Sequence, residues 1–195
     1  MVEDLSPRRL LILEAATAVL AREGGRGLTH RAVDREAGLP EGSSSAYFRS
    51  RASLVSALGE LVAARLAKDV ADLGAALARR PDDHDGAVEA TASLVTTWLA
   101  RPQDLMARFE LTLMAMRDPE LAARLEAWRI DLVGIVERVL RERRTGSLAV
   151  DADVLVAAFE GLLLTALRRP PGDREEFARA GIEQLLEIQP HDAPD

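Results

Sequence analysis

The sequence predicts an all-α protein of about nine helices, because apolar residues recur with the 3.6-residue period of amphipathic helices along almost its whole length. The alternating apolar and polar pattern that would indicate a strand does not persist anywhere. Proline and glycine stand where the helical patterns end, as at Gly38, Pro102 and Pro170. The apolar fraction of 48% and the charged fraction of 29% are those of a folded globular chain.

The first four helices are each bounded by a residue that favours a helix end. Pro7 suits the first turn of helix 1, and Gly24 can adopt the left-handed conformation that ends it. Thr29 is a good N-cap for helix 2, Pro40 can open helix 3, and Ser50 can cap helix 4. The expected helices cover residues 7–23, 29–37, 40–48 and 50–78.

Five more helices are expected downstream, separated by a polar loop near Pro81 and by further prolines and glycines. Arg141, Arg143 and Arg144 suit the negative end of the helix 7 dipole, ahead of a turn at 145–147. The tail after Pro190 should fray. The expected helices cover residues 87–99, 104–116, 118–144, 151–168 and 173–188.

The residue types needed for catalysis are scarce. The chain has no cysteine, which excludes disulfides, cysteine-based metal sites and thiol nucleophiles. The three histidines are scattered, and the sequence contains no Gly-rich phosphate loop or nucleophile motif. The acidic residues and the histidine at 82–85 form one loop without a second cluster, so a metal site is not expected. We therefore expect neither an enzyme nor a bound cofactor.

The net charge of −7 is unevenly distributed along the chain. Residues 1–60 contain 8 Arg and 8 acidic residues, so the remaining 135 residues hold 17 of the 25 basic and 24 of the 32 acidic residues. A neutral head followed by an acidic body fits a small nucleic-acid surface on a larger protein. The N-terminus lacks an apolar signal core and no stretch is long enough to span a bilayer, so we expect a cytoplasmic protein.

Residues 29–48, THRAVDREAGLPEGSSSAYF, carry the most informative pattern. Two short helices meet at the turn Ala37-Gly38-Leu39, with Val33 and Phe48 facing inward. In a helix-turn-helix the second helix enters the major groove and the first braces it against the DNA backbone. The serines at 43–45, of which the middle one leans inward, are small enough for close approach to base edges. The pattern predicts DNA binding, although any two short amphipathic helices around a glycine would look alike.

This stretch and its surroundings resemble the DNA-binding domain of the TetR family over roughly residues 8–60. The matching residues are Ile12-Leu13-Glu14-Ala15-Ala16, Gly24, Thr29, Ala37-Gly38-Leu39, Gly42-Ser43, Tyr47-Phe48, Ser50-Arg51 and Leu54. The resemblance implies a helix-turn-helix domain over residues 1–50 and a helical ligand-binding and dimerisation domain over residues 51–195. It implies a ligand-responsive repressor that binds double-stranded operator DNA as a homodimer.

The resemblance also assigns candidate DNA contacts, most of them on helices 2 and 3. They are Thr29, Tyr47 and Arg51 for phosphates, His30 and Arg31 beside the DNA backbone, Ser43, Ser45 and Ala46 for bases, and Glu41 and Gly42 between these groups. Helix 3 departs from the family pattern at Pro40, which replaces the usual serine cap. It departs again at Ala46, where a ring is common, so base contact there would shrink to a thymine methyl.

Glu41 is a further departure, because the family often has a basic residue at this position. Three readings remain open. In the favoured one, Glu41 faces solvent in the first turn of helix 3, where it suits the helix dipole and touches nothing. In the second it repels DNA phosphates, and in the third it accepts a hydrogen bond from a cytosine amino group.

An apolar stripe at helical spacing on helix 6, with a tryptophan on each flanking helix, is the candidate effector site. Ligand pockets are mostly apolar with few polar groups, so a small, largely apolar effector is expected. Ordinary core packing is the alternative explanation of the stripe, and a solvated face is the alternative for its glutamate. The candidate ligand contacts are Trp98, Met106, Phe109, Glu110, Leu113, Met116 and Trp128.

Helix 8 is apolar almost all the way round and must be covered on two sides. Helix 9 adds a second apolar face, on which Gly181 permits close approach. Burial inside one subunit explains either helix alone, but the two together favour a homodimer interface that includes Leu163 and Ile182. The alternative function is a helical ligand-binding or scaffolding protein that has lost DNA binding, which Glu41 and the neutral head would support.

Overall fold

A computed structural model describes residues 5–142 and 151–186, and over these residues the chain is all-α, as predicted. Arg143, Arg144, the expected turn at 145–147 and the tail after Pro190 lie outside the described residues. None of the helices in the described part is long and apolar enough to cross a membrane. Within residues 5–142 and 151–186 the nine helices are α1 (Pro7–Gly27), α2 (His30–Glu36), α3 (Ser43–Tyr47), α4 (Arg51–Ala78), α5 (His84–Leu99), α6 (Pro102–Ala115), α7 (Pro119–Glu142), α8 (Ala152–Leu167) and α9 (Arg174–Leu186), with a 3-10 turn at Pro171–Asp173.

Side chains cap the starts of α1 and α2, and of these two caps Thr29 was predicted and Ser6 was not. Ser6 accepts a hydrogen bond from the backbone N–H of Arg9 at 3.4 Å and caps α1. Thr29 does the same for α2 through the N–H of Ala32 at 3.2 Å. Gly24 interrupts α1 as expected, but its φ of 67° comes with an extended ψ of −178°, and the chain then resumes a helical turn to Gly27.

Helix α3 begins at Ser43 and not at Pro40, so the prediction that Pro40 opens it is wrong. Residues 40–42 instead form a turn in which Ser43 N–H donates to the Pro40 carbonyl at 3.1 Å. Gly42, the N-cap, has a φ of 90°, a left-handed conformation that glycine adopts without strain. The recognition helix is therefore only five residues long.

The chain divides into two compact units, Met1–Leu66 with Arg101–Trp128, and Ala67–Ala100 with Arg129–Asp195. In the first unit α6 lies along α1, and α2 and α3 pack beside them. The core of this unit is fully buried and draws on five helices. Its residues include Ile12, Leu20, Val33, Leu54, Leu58, Ala107, Leu111 and Leu121.

The second unit is built around the packing of α5, α8 and α9. Leu163 of α8 and Ile182 of α9 are 1% and 0% exposed within the single chain. The expectation that these two residues face a partner subunit is therefore wrong. Gly181 does permit close approach, since a Cβ there would lie 2.4 Å from Leu162, but the approach joins α9 to α8 of the same chain.

Candidate nucleic-acid interface

A buried carboxylate from α2 fixes the start of α3. Gly42, the N-cap of α3, has no side chain with which to satisfy the first N–H groups of the helix. Asp34 supplies the missing acceptors, because its two carboxylate oxygens accept from the N–H of Gly42 at 2.8 Å and of Ser44 at 2.7 Å. Its side chain is almost wholly buried. Asp34 therefore sets the position of α3 relative to α2, a role that the sequence analysis missed.

The surroundings of Asp34 favour its charged form. Burial on its own raises the pKa of Asp34, but hydrogen bonds from Ser44 and Gly42, together with the nearby His30, outweigh burial. The pKa of Asp34 consequently lies below its ordinary value of 3.8. Because the unfolded chain then binds the proton more tightly, stability decreases as the pH falls from 3.8 through the lowered folded-state value.

Replacing Asp34 with asparagine should destabilise the protein by about 2 kcal/mol at pH 7, because one backbone N–H would face an amide NH₂ and stay unsatisfied in a buried place. Urea unfolding at pH 7 measures this loss. Below pH 4 the gap between the variant and the wild type should narrow, since protonation removes the same acceptor from the wild type. Asp85→Asn, which removes an exposed carboxylate from the first turn of α5, is the matched control and should stay within about 0.5 kcal/mol. Equal losses in the two variants would contradict the capping role.

The outer face of α3 combines small and aromatic side chains. Ser45 and Ala46 are exposed, and Tyr47 at the end of the helix is 42% exposed. Ser44 is fully buried, which confirms that the middle serine leans inward. Ser43 is half-buried. This face can approach a base edge closely and present a phenol beside it.

The two outer serine hydroxyls already donate to the backbone. Ser43 Oγ donates to the Pro40 carbonyl at 2.7 Å, and Ser45 Oγ donates to the Gly42 carbonyl at 2.8 Å. A hydroxyl has one proton and two lone pairs, so each oxygen remains an acceptor in this arrangement. Toward DNA, these oxygens are suited to accept from the amino groups of adenine or cytosine.

Glu41 lies in the turn before α3 and forms an ion pair with Arg31 of α2 at 3.1 Å. The favoured expectation, that Glu41 sits in the first turn of helix 3 and touches nothing, is therefore wrong. Both side chains are more than two-thirds exposed, so the pair is of the weak surface kind. Arg31 can exchange this carboxylate for a phosphate at little cost.

Three candidate residues also make contacts within the protein. His30 Nε2 lies 2.7 Å from the carbonyl oxygen of Phe48, directly after α3. Arg51 Nε donates to the Leu28 carbonyl at 3.2 Å, and Arg51 Nη2 donates to the Gly25 carbonyl. Thr29 is exposed and caps α2. These contacts brace α2, α3 and the start of α4 against each other.

The candidate ligand residues of α6 lie on one side of the helix, but that side is largely exposed. Met106, Leu113 and Met116 are 45%, 48% and 79% exposed, so the alternative that they form ordinary core is wrong. Phe109 is half-buried and lies under the guanidinium of Arg108. The core of the first unit takes the other side of α6, including Ala107 and Leu111.

The remaining candidate ligand residues have partners of their own. Glu110 accepts a hydrogen bond from Gly25 N–H at 3.3 Å. Trp128 is half-buried against α4, where a Cβ on Gly59 would lie 2.6 Å from its ring. Trp98 belongs to the second unit and donates from its indole Nε1 to Asp69 at 2.8 Å.

The acidic loop at 82–85 contains a helix cap. Asp83 is the N-cap of α5, and its carboxylate accepts a hydrogen bond from the N–H of Gly86 at 2.8 Å.

Two family models together match most of the chain, and the first of them spans most of α1, all of α2 and α3 and the start of α4. Residues 12–58 match the family model described as bacterial regulatory proteins, tetR family. Residues 82–188 match a second model, described as tetracyclin repressor-like, C-terminal domain. The chain is 31% identical over 168 residues to the HTH-type transcriptional repressor AcnR of Corynebacterium diphtheriae, covering 82% of this chain and 79% of that protein.

Solved structures show the same architecture. A TetR family member from Streptomyces coelicolor is 29% identical, with a TM-score of 0.70 over 92% of this chain and 98% of that one. The multidrug binding protein EbrR, complexed with malachite green, is also 29% identical, with a TM-score of 0.65 and the same coverage. The chain therefore belongs to the TetR family of bacterial regulatory proteins and is a DNA-binding transcriptional regulator.

Proposed function

We propose that the protein is a homodimeric transcriptional repressor, acting in the cytoplasm, whose hold on operator DNA is released by a small, largely apolar effector. The observation that carries the proposal is the outer face of α3, where Ser45, Ala46 and Tyr47 are exposed. Asp34 of α2 holds the start of this helix by accepting hydrogen bonds from its first backbone N–H groups. A helix held in this way can enter the major groove without rearrangement. The similarity to the repressor AcnR over most of the chain supports repression and not activation.

In this proposal residues 1–50 are the DNA-binding domain and residues 51–195 bind the effector and the second subunit. Tyr47, Thr29 and Arg51 contact phosphates, with His30 and Arg31 beside them. Ser43, Ser45 and Ala46 face base edges, and Gly42 lets the backbone approach. Glu41 competes with phosphates for Arg31, which would weaken contact with DNA of any sequence.

The dimer is proposed to form through α8 and α9, with a face of α8 at its centre. Val154 and Leu164 are 57% and 48% exposed, and Ala157 and Gly161 between them are exposed and small. These four residues lie within one side of the helix, because their spacings of three and four residues return to the same face. An exposed apolar stripe with small residues at its middle suits close packing against a second copy.

The effector is proposed to contact the exposed apolar side of α6, Met106, Phe109, Leu113 and Met116, with Trp128 as an aromatic residue of the same unit. Glu110 would act beside this stripe through its contact with Gly25. EbrR, the similar multidrug binding protein, has been solved with malachite green and with ethidium. Both dyes are largely apolar aromatic cations. Malachite green is therefore the first probe of this side.

Transcription in vitro from the promoter upstream of the protein's own gene should fall when the protein is added and recover when malachite green is added. Leu113→Lys should still repress but require at least about tenfold more dye, because it places a positive charge in an apolar contact with a cationic dye. Thr112→Lys, on a neighbouring exposed position of α6, should respond like the wild type. Dye without protein controls for direct effects on transcription. Activation by the protein, or equal dye responses of the two variants, would contradict the proposal.

A further inference from the structure

At the break in α1, the backbone of a single residue, Gly25, forms hydrogen bonds with side chains of two other helices. Gly24 leaves the helical conformation, and Gly25 N–H then donates to Glu110 of α6 at 3.3 Å. The approach of the two helices is close, since a Cβ on Gly25 would lie 2.8 Å from the sulfur of Met114. A Cβ at position 25 would therefore require the Met114 side chain to move.

The same residue is held on its other side by α4. Arg51, the first residue of α4, donates from its guanidinium to the carbonyl of Gly25 and, at 3.2 Å, to the carbonyl of Leu28. Leu28 immediately precedes the cap of α2, and only three residues separate Arg51 from the end of α3. Gly25 therefore joins α6, through Glu110, to the residues that begin α2 and α4.

We propose that Glu110 is a positioning residue for DNA binding, acting through Gly25 and Arg51 on the helices that present α3. Its carboxylate, hydrogen-bonded to Gly25, holds α6 and the broken end of α1 in one arrangement. Arg51 transmits that arrangement to the start of α4. This inference extends the proposed function, because an effector bound to the other side of α6 would alter DNA affinity through this chain of contacts.

Two substitutions at Glu110 separate this role from a simple charge effect. Both Glu110→Ala and Glu110→Gln remove a negative charge, which by electrostatics alone would strengthen binding to DNA. Only Glu110→Ala removes the acceptor for Gly25. We expect Glu110→Ala to weaken binding to the upstream operator fragment at least about fivefold and Glu110→Gln to restore most of the affinity. Thr112→Ala, an exposed α6 residue whose hydroxyl bonds only within its helix, is the control that should not change it.

The contribution of Arg51 is tested by a double-mutant cycle read by fluorescence anisotropy. If Glu110 acts through Arg51, Glu110→Ala should lower operator affinity by less than about twofold when it is made in the Arg51→Ala variant. The same loss in both backgrounds, or no loss in the wild-type background, would overturn the inference. If Glu110→Ala unfolds, Glu110→Asp replaces it, because it keeps the charge but shortens the reach. A wild type that binds no operator would contradict the proposed function and not this inference.

Discussion

Val154→Glu combined with Leu164→Glu is expected to convert the protein from a dimer to a monomer. The double substitution should also lower operator affinity at least about a hundredfold. Both side chains are exposed in the single chain, so the substitutions leave the core of the subunit intact. At a dimer interface each would bury a charge against an apolar surface, which is strongly unfavourable. Operator affinity falls because two linked recognition helices bind far more tightly than one.

Light scattering coupled to size-exclusion chromatography measures the mass, and anisotropy measures operator affinity. Thr97→Glu, which adds the same charge on an exposed position of α5, should remain a dimer and bind normally. A folded double variant that is still a dimer would show that the interface lies elsewhere. Leu163 and Ile182 cannot serve for this test, since both are buried within one chain and their substitution would unfold it.

Tyr47→Ala should weaken operator binding at least about tenfold, or 1.4 kcal/mol, while fold and dimer remain intact. The side chain stands 42% exposed at the end of α3, where it has room to contact DNA and little packing to lose. Gel shifts at moderate salt measure the effect, and circular dichroism checks the fold. Tyr47→Phe separates the hydroxyl, expected to donate to a phosphate, from the ring. An unchanged affinity of Tyr47→Ala would remove Tyr47 from the DNA surface.

The sequence predicted the helices well because their ends are marked by local chemistry. Thr29 caps α2 as expected, and Gly38 follows it with a φ of 65°. The start of α3 was misjudged because its cap comes from Asp34, eight residues before Gly42. The available signal was Asp34, an acidic residue that directly follows the apolar Val33 on a short helix. Only tertiary structure shows that its carboxylate is buried against the next helix.

Periodicity alone could not show which side of α6 or of α8 faces the core. The spacing of Met106 and Leu113 correctly placed them on one side, but both sides of α6 carry apolar residues and the core uses the other. Helix α8 is apolar almost all round, so its sequence could not show that Leu163 packs inside the subunit while Leu164 is exposed. Which apolar side faces the core depends on partners distant in sequence.

The central claim is that operator DNA binds to α2, α3 and the start of α4. It is tested most directly by titrating the wild-type protein with its own upstream DNA and with a scrambled duplex at several salt concentrations. We expect tighter binding to the upstream fragment, with the logarithm of affinity falling against the logarithm of salt with a slope of about −4, because Arg31 and Arg51 of two subunits would displace about four counterions. Binding that does not depend on salt, or that is equal for both duplexes, would contradict the account.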